Sequence, residues 1–157
     1  MKPTYIIVHC SSSTWGTTID IDRWHRERGW KSIGYHAVIL NGFVTAEDEK
    51  NGARDPLYDG ALCPGRSLDM DAELEAQEVG THAAGWNNRS VAVCLIGQGD
   101  YTRSQLNVLR IQIRAWMRRY EIPAENVLGH NEIPGVTKAC PMLNMNVLRG
   151  NLREPIK

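Results

Sequence analysis

Short apolar runs alternate with polar, glycine-punctuated stretches along this chain, and the pattern predicts its elements before any chemistry is considered. "TYIIVHC" is uninterruptedly apolar over Ile6, Ile7 and Val8 and reads as a short buried strand. "SSSTWGTT" after it is a loop, and Thr18 or Asp20 caps a short helix that carries Trp24 and stops near Gly29. "YHAVIL" is a second strand. The Asn41-Gly42 pair then predicts a two-residue hairpin turn, with "FVTA" returning as the third strand. "RSVAVCLIG" is apolar on both faces and predicts a fourth, central strand.

The clearest helix is "TRSQLNVLRIQIRAWMRRYEI". Thr102 and Gln105 fit a capping box, and Leu106, Leu109, Ile113, Trp116 and Tyr120 recur at steps of three and four, the period of one buried helical face. Pro123 is expected to end it. "VLGH" reads as a last short strand with His130 at its tip, followed by a loop rich in Pro and Gly and a weak helix around Leu143 to Leu148. Gly52, Pro56, Gly60 and Pro64 punctuate the stretch from Glu47 to Pro64, so a long excursion is expected there in place of a regular element. The order of elements is α/β (α+β), with no internal repeat.

Composition narrows the class. The 157 residues match one ordinary domain, and 18 Lys and Arg balance 18 Asp and Glu, so no overall charge draws the molecule to nucleic acid or an anionic membrane. Acidic residues crowd the stretch from Thr45 to Glu78, set against only Lys50, Arg54 and Arg66, while Arg103, Arg110, Arg114, Arg118 and Arg119 decorate the long helix. These read as two solvated faces of opposite sign, not as a nucleic-acid patch. Cys10, Cys63, Cys94 and Cys140 show no paired spacing. The opening "MKPTYIIVHC" is too short in apolar residues for a signal peptide, so a reducing, cytoplasmic setting is expected.

One stretch demands chemistry: "GHNEIPGVTKACP", where His130, Lys138 and Cys140 gather in a loop. A catalytic zinc takes three protein donors and keeps a fourth position open, and His130 and Cys140 supply two of the three. Among His9, His25, His36 and His82, the best third donor is His9, because the end of a strand holds a ligand rigidly. Taken singly, each has a structural reading as well. His9 suits a hydrogen-bonded strand end, Tyr35 a core tyrosine, Lys138 a solvated cation and Cys140 a buried thiol.

Together, "VHCS", "WHRERGWKSIGYH", "GTHAAGWNNRSVAVCLIG" and "GHNEIPGVTKACP" appear in an order that resembles the zinc N-acetylmuramoyl-L-alanine amidases of the type-2 amidase and peptidoglycan-recognition family, particularly its phage lysozymes (endolysins). The resemblance runs from Ile6 to about Pro141. It implies a single amidase domain over residues 1–157, with a central mixed sheet flanked by helices and a zinc cleft on one face. It implies one zinc per chain held by His9, His130 and Cys140, with Tyr35 and Lys138 in catalysis. Lys138 would stabilise the oxyanion formed at an attacked amide, and Tyr35 would orient the water or shuttle a proton. His82, Trp86 and Asn87 fall where the family borders its substrate groove, with a turn-forming role as the alternative.

The chain departs from the family in one place, the expanded acidic region at about 45–78, which would alter substrate preference if it overhangs the groove. The implied function is cleavage of the amide between N-acetylmuramic acid and the L-alanine of the stem peptide by a zinc-activated water, in host lysis. The partner is peptidoglycan, with no nucleic acid or membrane partner, and the chain is expected to be a monomer. The enzyme would be made in the cytoplasm and reach the wall through a separate pore. The alternatives are an intracellular amidase recycling muropeptides and a binding module without activity. Modules that only bind commonly lack the metal cysteine, which Cys140 argues against.

Overall fold

A computed structural model describes residues 1–154 of the chain. Its centre is a mixed five-stranded sheet in the order β3-β2-β4-β1-β5. Strand β1 (Tyr5–Cys10) runs parallel to β4 (Ser90–Leu95) on one side and to β5 (Val127–Gly129) on the other. Strand β2 (Ala37–Asn41) pairs parallel with β4 and antiparallel with the edge strand β3 (Asp59–Pro64). The apolar run that suggested a central strand is β4, fully buried along its length as the middle of five.

Side-chain alternation along the strands divides the molecule into two layers. Ile6, Val8, Val91, Val93, Leu95 and Ile39 face the long helix α3 (Arg103–Tyr120) and the terminal helix α4 (Met145–Arg153), and together they form the main core. Leu109, Ile113, Trp116 and Tyr120 of α3 and Met145, Leu148 and Leu152 of α4 complete it. On the opposite face, helix α1 (Thr18–Glu27) covers Val38, Leu40 and Cys94 with Ile21, and a smaller cluster of Ile7, Ala83 and Ile133 lies beside it.

Several boundaries differ from the sequence expectation, each for a local reason. The cap of α1 is Thr17, whose N–H and hydroxyl both donate to Asp20 at 2.9 Å, so Asp20 is the capping-box partner. "FVTA" is not a strand. Asn41 Oδ1 accepts the N–H of Phe43 at 3.1 Å, and Thr45 caps the short helix α2 (Ala46–Lys50) by a capping box with Asp48, so the chain leaves the sheet. The antiparallel partner of β2 is β3, which lies inside the stretch expected to be irregular. Helix α3 stops before Pro123, at Glu121 in the left-handed conformation. The terminal helix is Met145–Arg153, capped by the side chain of Asn144 at the Val147 N–H.

Gln105 does more than close the capping box of α3. It is fully buried, and its Nε2 donates to the carbonyls of Ile39 at 3.1 Å and Ile96 at 2.8 Å. Its Oε1 accepts the Thr102 N–H at 3.1 Å, so one amide ties the helix start to the ends of β2 and β4. Gln105→Leu would strand these partners in the core. We expect it to lower unfolding stability by about 1–3 kcal/mol, seen as an earlier urea midpoint at unchanged slope. An unchanged midpoint would mean that the bonds contribute nothing net.

Candidate active site

The site is built where β1 and β5 end side by side. Their parallel register pairs Val8 with Gly129, so His9 on β1 and His130, the first residue past the end of β5, come side by side. His9 points to the face away from α3 and is buried, and its ring lies 4.5 Å from that of His130, centroid to centroid. Two hydrogen bonds bring the later loop in. The Asn131 N–H donates to the Cys140 carbonyl at 2.7 Å, and the Cys10 N–H donates to Cys140 Sγ at 3.2 Å. One donor atom from each of His9, His130 and Cys140 then lies within 4.8 Å of the others.

This cluster fits zinc by type and spacing. Cys140 Sγ lies 3.8 Å from His9 Nδ1, and a tetrahedral zinc with ordinary bond lengths separates such donors by about 3.5 Å. Burial holds the His9 imidazole well below its usual range, and His82 and His130 beside it add to this, so it is neutral and able to donate a lone pair. Burial, with Lys138 nearby, also lowers His130. The Cys140 thiol is pushed up, first by the Cys10 thiol and then by burial, so a thiolate there needs a cation beside it.

Tyr35 reaches the cluster from the other side, its ring 5.0 Å from that of His9. Helix α1 sets its position. Asp22 accepts the Ile33 N–H at 2.7 Å, and His25 Nδ1, one turn on, accepts the Gly34 N–H at 3.0 Å. Two glycines permit the close approach that clamps the segment. A Cβ on Gly34 would meet the Thr81 carbonyl oxygen at 1.9 Å, and one on Gly65 would meet that of Tyr35 at 2.2 Å. Burial raises the Tyr35 hydroxyl well above its usual range, so it is an O–H donor. His36 turns the other way: its Nδ1 accepts the Ala92 N–H, its Nε2 bonds the Glu78 carbonyl, and its ring lies near Trp116.

Lys138 is exposed and lines an open cleft of about 360 Å³ together with Ala83, Ala84, His130, Ile133 and Val136. The cleft therefore opens directly onto one of the three clustered donors. A larger cleft of about 620 Å³ lies between α1 and the 65–78 segment, lined by Asp22, Ile33, Arg66 and Glu78, away from the cluster.

Among the three residues expected at a groove, none lines the cleft beside His130. Asn87 closes a turn, its Oδ1 accepting the N–H groups of His82 at 2.9 Å and Ala83 at 2.8 Å. Trp86 is held between Tyr5, edge to face at 4.7 Å, and the Arg89 guanidinium at 3.9 Å. His82 is buried beneath the cluster, its Nδ1 3.1 Å from His9 Nε2. Sequence reasoning missed Glu132 and Arg149. Glu132 accepts the Gly129 N–H at 2.9 Å and pairs with Arg149 of α4 through two bonds of 2.8 Å, bracing both flanks of His130. The capping spacing from Gly129 to Glu132 was the available signal.

A largely buried cluster of two imidazoles and a thiol, with a tyrosine against it and an open cleft lined by His130 and Lys138 beside it, fits a class: hydrolases that act on an amide carbonyl. Within that class, the chain belongs to the N-acetylmuramoyl-L-alanine amidase family (Amidase_2), whose sequence model matches residues 1–142. It is 28% identical to the endolysin of Escherichia phage T7 over 151 residues, covering 89% of this chain and 81% of that protein. It is also 28% identical to the endolysin of Klebsiella phage KP32 over 157 residues, covering 92% and 83%. Among solved structures, N-acetylmuramoyl-L-alanine amidase LysC from Clostridium intestinale superposes with a TM-score of 0.73 at 24% identity, covering 97% of this chain and 86% of LysC. A Drosophila PGRP-LB mutant in complex with tracheal cytotoxin gives 0.65 at 24%, covering 90% and 76%. These two likenesses establish the fold.

The Arg149 guanidinium, followed by the Gly129 N–H, holds the Glu132 carboxyl below its usual range against partial burial. Because the folded value is depressed, its stabilisation is complete above the unfolded value of about 4.3 and is lost as pH falls through the folded one. The pair is partly solvated, so Glu132→Gln should cost only about 0.5–1 kcal/mol at pH 7. The gap to the natural protein should close as pH falls from about 5 toward 3. A pH-independent gap in chemical denaturation would contradict this account of the brace.

Proposed function

We propose that this chain is a zinc-dependent peptidoglycan amidase that acts in phage host lysis, cutting the amide between N-acetylmuramic acid and the L-alanine of the stem peptide. The observation that carries the reading is the meeting of His9, His130 and Cys140 within 4.8 Å, with Tyr35 against His9 and Lys138 at the lip of the adjoining cleft. When bound, zinc supplies a water of pKa about 7 and Lewis-acid polarisation of a carbonyl. His9, His130 and Cys140 would hold it. The names of the phage relatives, both endolysins, support the role in lysis, and the wall of a bacterial host is the proposed place of action.

The remaining steps belong to the chain's own side chains. The cleft beside His130 receives the stem peptide, with its apolar wall at Ile133 and Val136. Lys138 approaches the scissile carbonyl from that wall and stabilises the negative charge developing on its oxygen. Tyr35, kept protonated by burial, donates its O–H to the reacting oxygen and orients it. Cleavage leaves a free amine on L-alanine and no new sugar end. Glu132, bound to Arg149, is not free to serve as one of the two carboxylates that glycoside cleavage uses.

Incubation with purified peptidoglycan should release stem peptides bearing a free L-alanine amine, without new reducing ends, and a strong chelator should abolish the release. Mass spectrometry of the soluble products decides the bond. Reducing ends without alanine amines would make the protein a glycosidase, and wall binding without products would leave a recognition module. Lys138→Ala should lower turnover by about 10²–10³-fold and Tyr35→Phe by about 10²-fold or more, both with full metal content. Loss of metal in either variant would contradict the roles assigned.

A further inference from the structure

Ser90, the first residue of β4, sets the direction of a chain of hydrogen bonds that ends on His9. It is fully buried, and its hydroxyl donates to the Trp86 carbonyl at 2.7 Å. A carbonyl only accepts, so the hydroxyl proton is committed and the lone pairs of Ser90 Oγ face His82 Nε2 at 3.4 Å. His82 therefore carries its proton on Nε2 and a lone pair on Nδ1. That Nδ1 lies 3.1 Å from His9 Nε2, which must then be the donor. The lone pair of His9 is left on Nδ1, the atom 3.8 Å from Cys140 Sγ.

We propose that His82, oriented by Ser90, is a positioning residue that locks His9 in its Nε2–H tautomer and so presents Nδ1 to the metal. A metal-bound histidine usually gives its second N–H to a carboxylate, a backbone carbonyl or water, groups that accept in any state. An imidazole accepts through one nitrogen only when its proton sits on the other, which is why Ser90 and the Trp86 carbonyl are part of the device. The turn closed by Asn87, which bonds the His82 and Ala83 N–H groups, holds the backbone of His82 in place for it. The consequence for metal affinity rests on the zinc reading above; the tautomer assignment does not.

The test begins with the metal-free natural protein, its histidines labelled with nitrogen-15. Long-range proton–nitrogen spectra should show both His9 and His82 protonated on Nε2. Protonation of His9 on Nδ1, or averaging of the two tautomers on either ring, would overturn the proposal. Zinc dissociation constants follow, measured by competition with a chromophoric chelator. His82→Leu should weaken zinc about 10–100-fold, and His82→Asn, whose side-chain oxygen falls where Nδ1 was, should restore most of the loss. Equal losses in both variants, or none in His82→Leu, would reject the positioning role. Thermal unfolding of the metal-free forms separates this from damage to folding. A natural protein with no zinc uptake would sink the zinc reading, and the spectra would still decide the tautomer.

Discussion

The site depends first on the parallel pairing of β1 with β5. Val8 opposite Gly129 sets His9 and His130 at neighbouring positions, with their rings 4.5 Å apart. A slip of one residue would turn His9 into the main core beside α3, because side chains alternate across a strand. The register is protected by burial on both faces: Ile6 and Val8 pack under the helices, while Ile7 packs against Ala83 and Ile133. The backbone groups at the end of β1 extend the same order to the third donor, through the Cys10 N–H on Cys140 Sγ.

Around that pairing, separate elements hold separate functional groups. Helix α1 acts through Asp22 and His25 on the backbone before Tyr35, and Gly34 and Gly65 let neighbouring chain pack tightly on either side. Helix α4 acts through Arg149 and Glu132 on the residues flanking His130. Lys138 alone stands exposed, in the loop that forms the cleft wall. The three clustered donors are thus fixed from several sides, while Lys138 keeps the freedom of an exposed side chain. Such division suits a site whose ligands need rigid placement before substrate arrives.

Much of this was legible because the periodic elements are strong. The stripe of Leu109, Ile113, Trp116 and Tyr120 announced α3, and the doubly apolar run of β4 announced the centre of the sheet. The three clustered donors were legible from donor type and motif order. The region from Phe43 to Pro64 was not, because the Asn41 side chain and the Thr45 capping box redirect the chain locally, and strand pairing with β2 is a long-range event. The His82 to Ser90 chain was hidden for another reason. Each member has an ordinary turn or strand role in sequence, and only distances of 3.1, 3.4 and 2.7 Å reveal them as one device.

The most direct test of the account is the metal itself. Zinc content by elemental analysis, joined to zinc X-ray absorption, should give one zinc per chain with a single sulfur neighbour at about 2.3 Å and nitrogen or oxygen neighbours at about 2.0–2.1 Å. In Cys140→Ala the sulfur neighbour should vanish and the stoichiometry fall. Full zinc occupancy in that variant, or a natural protein whose zinc has no sulfur neighbour, would contradict the centre described by His9, His130 and Cys140.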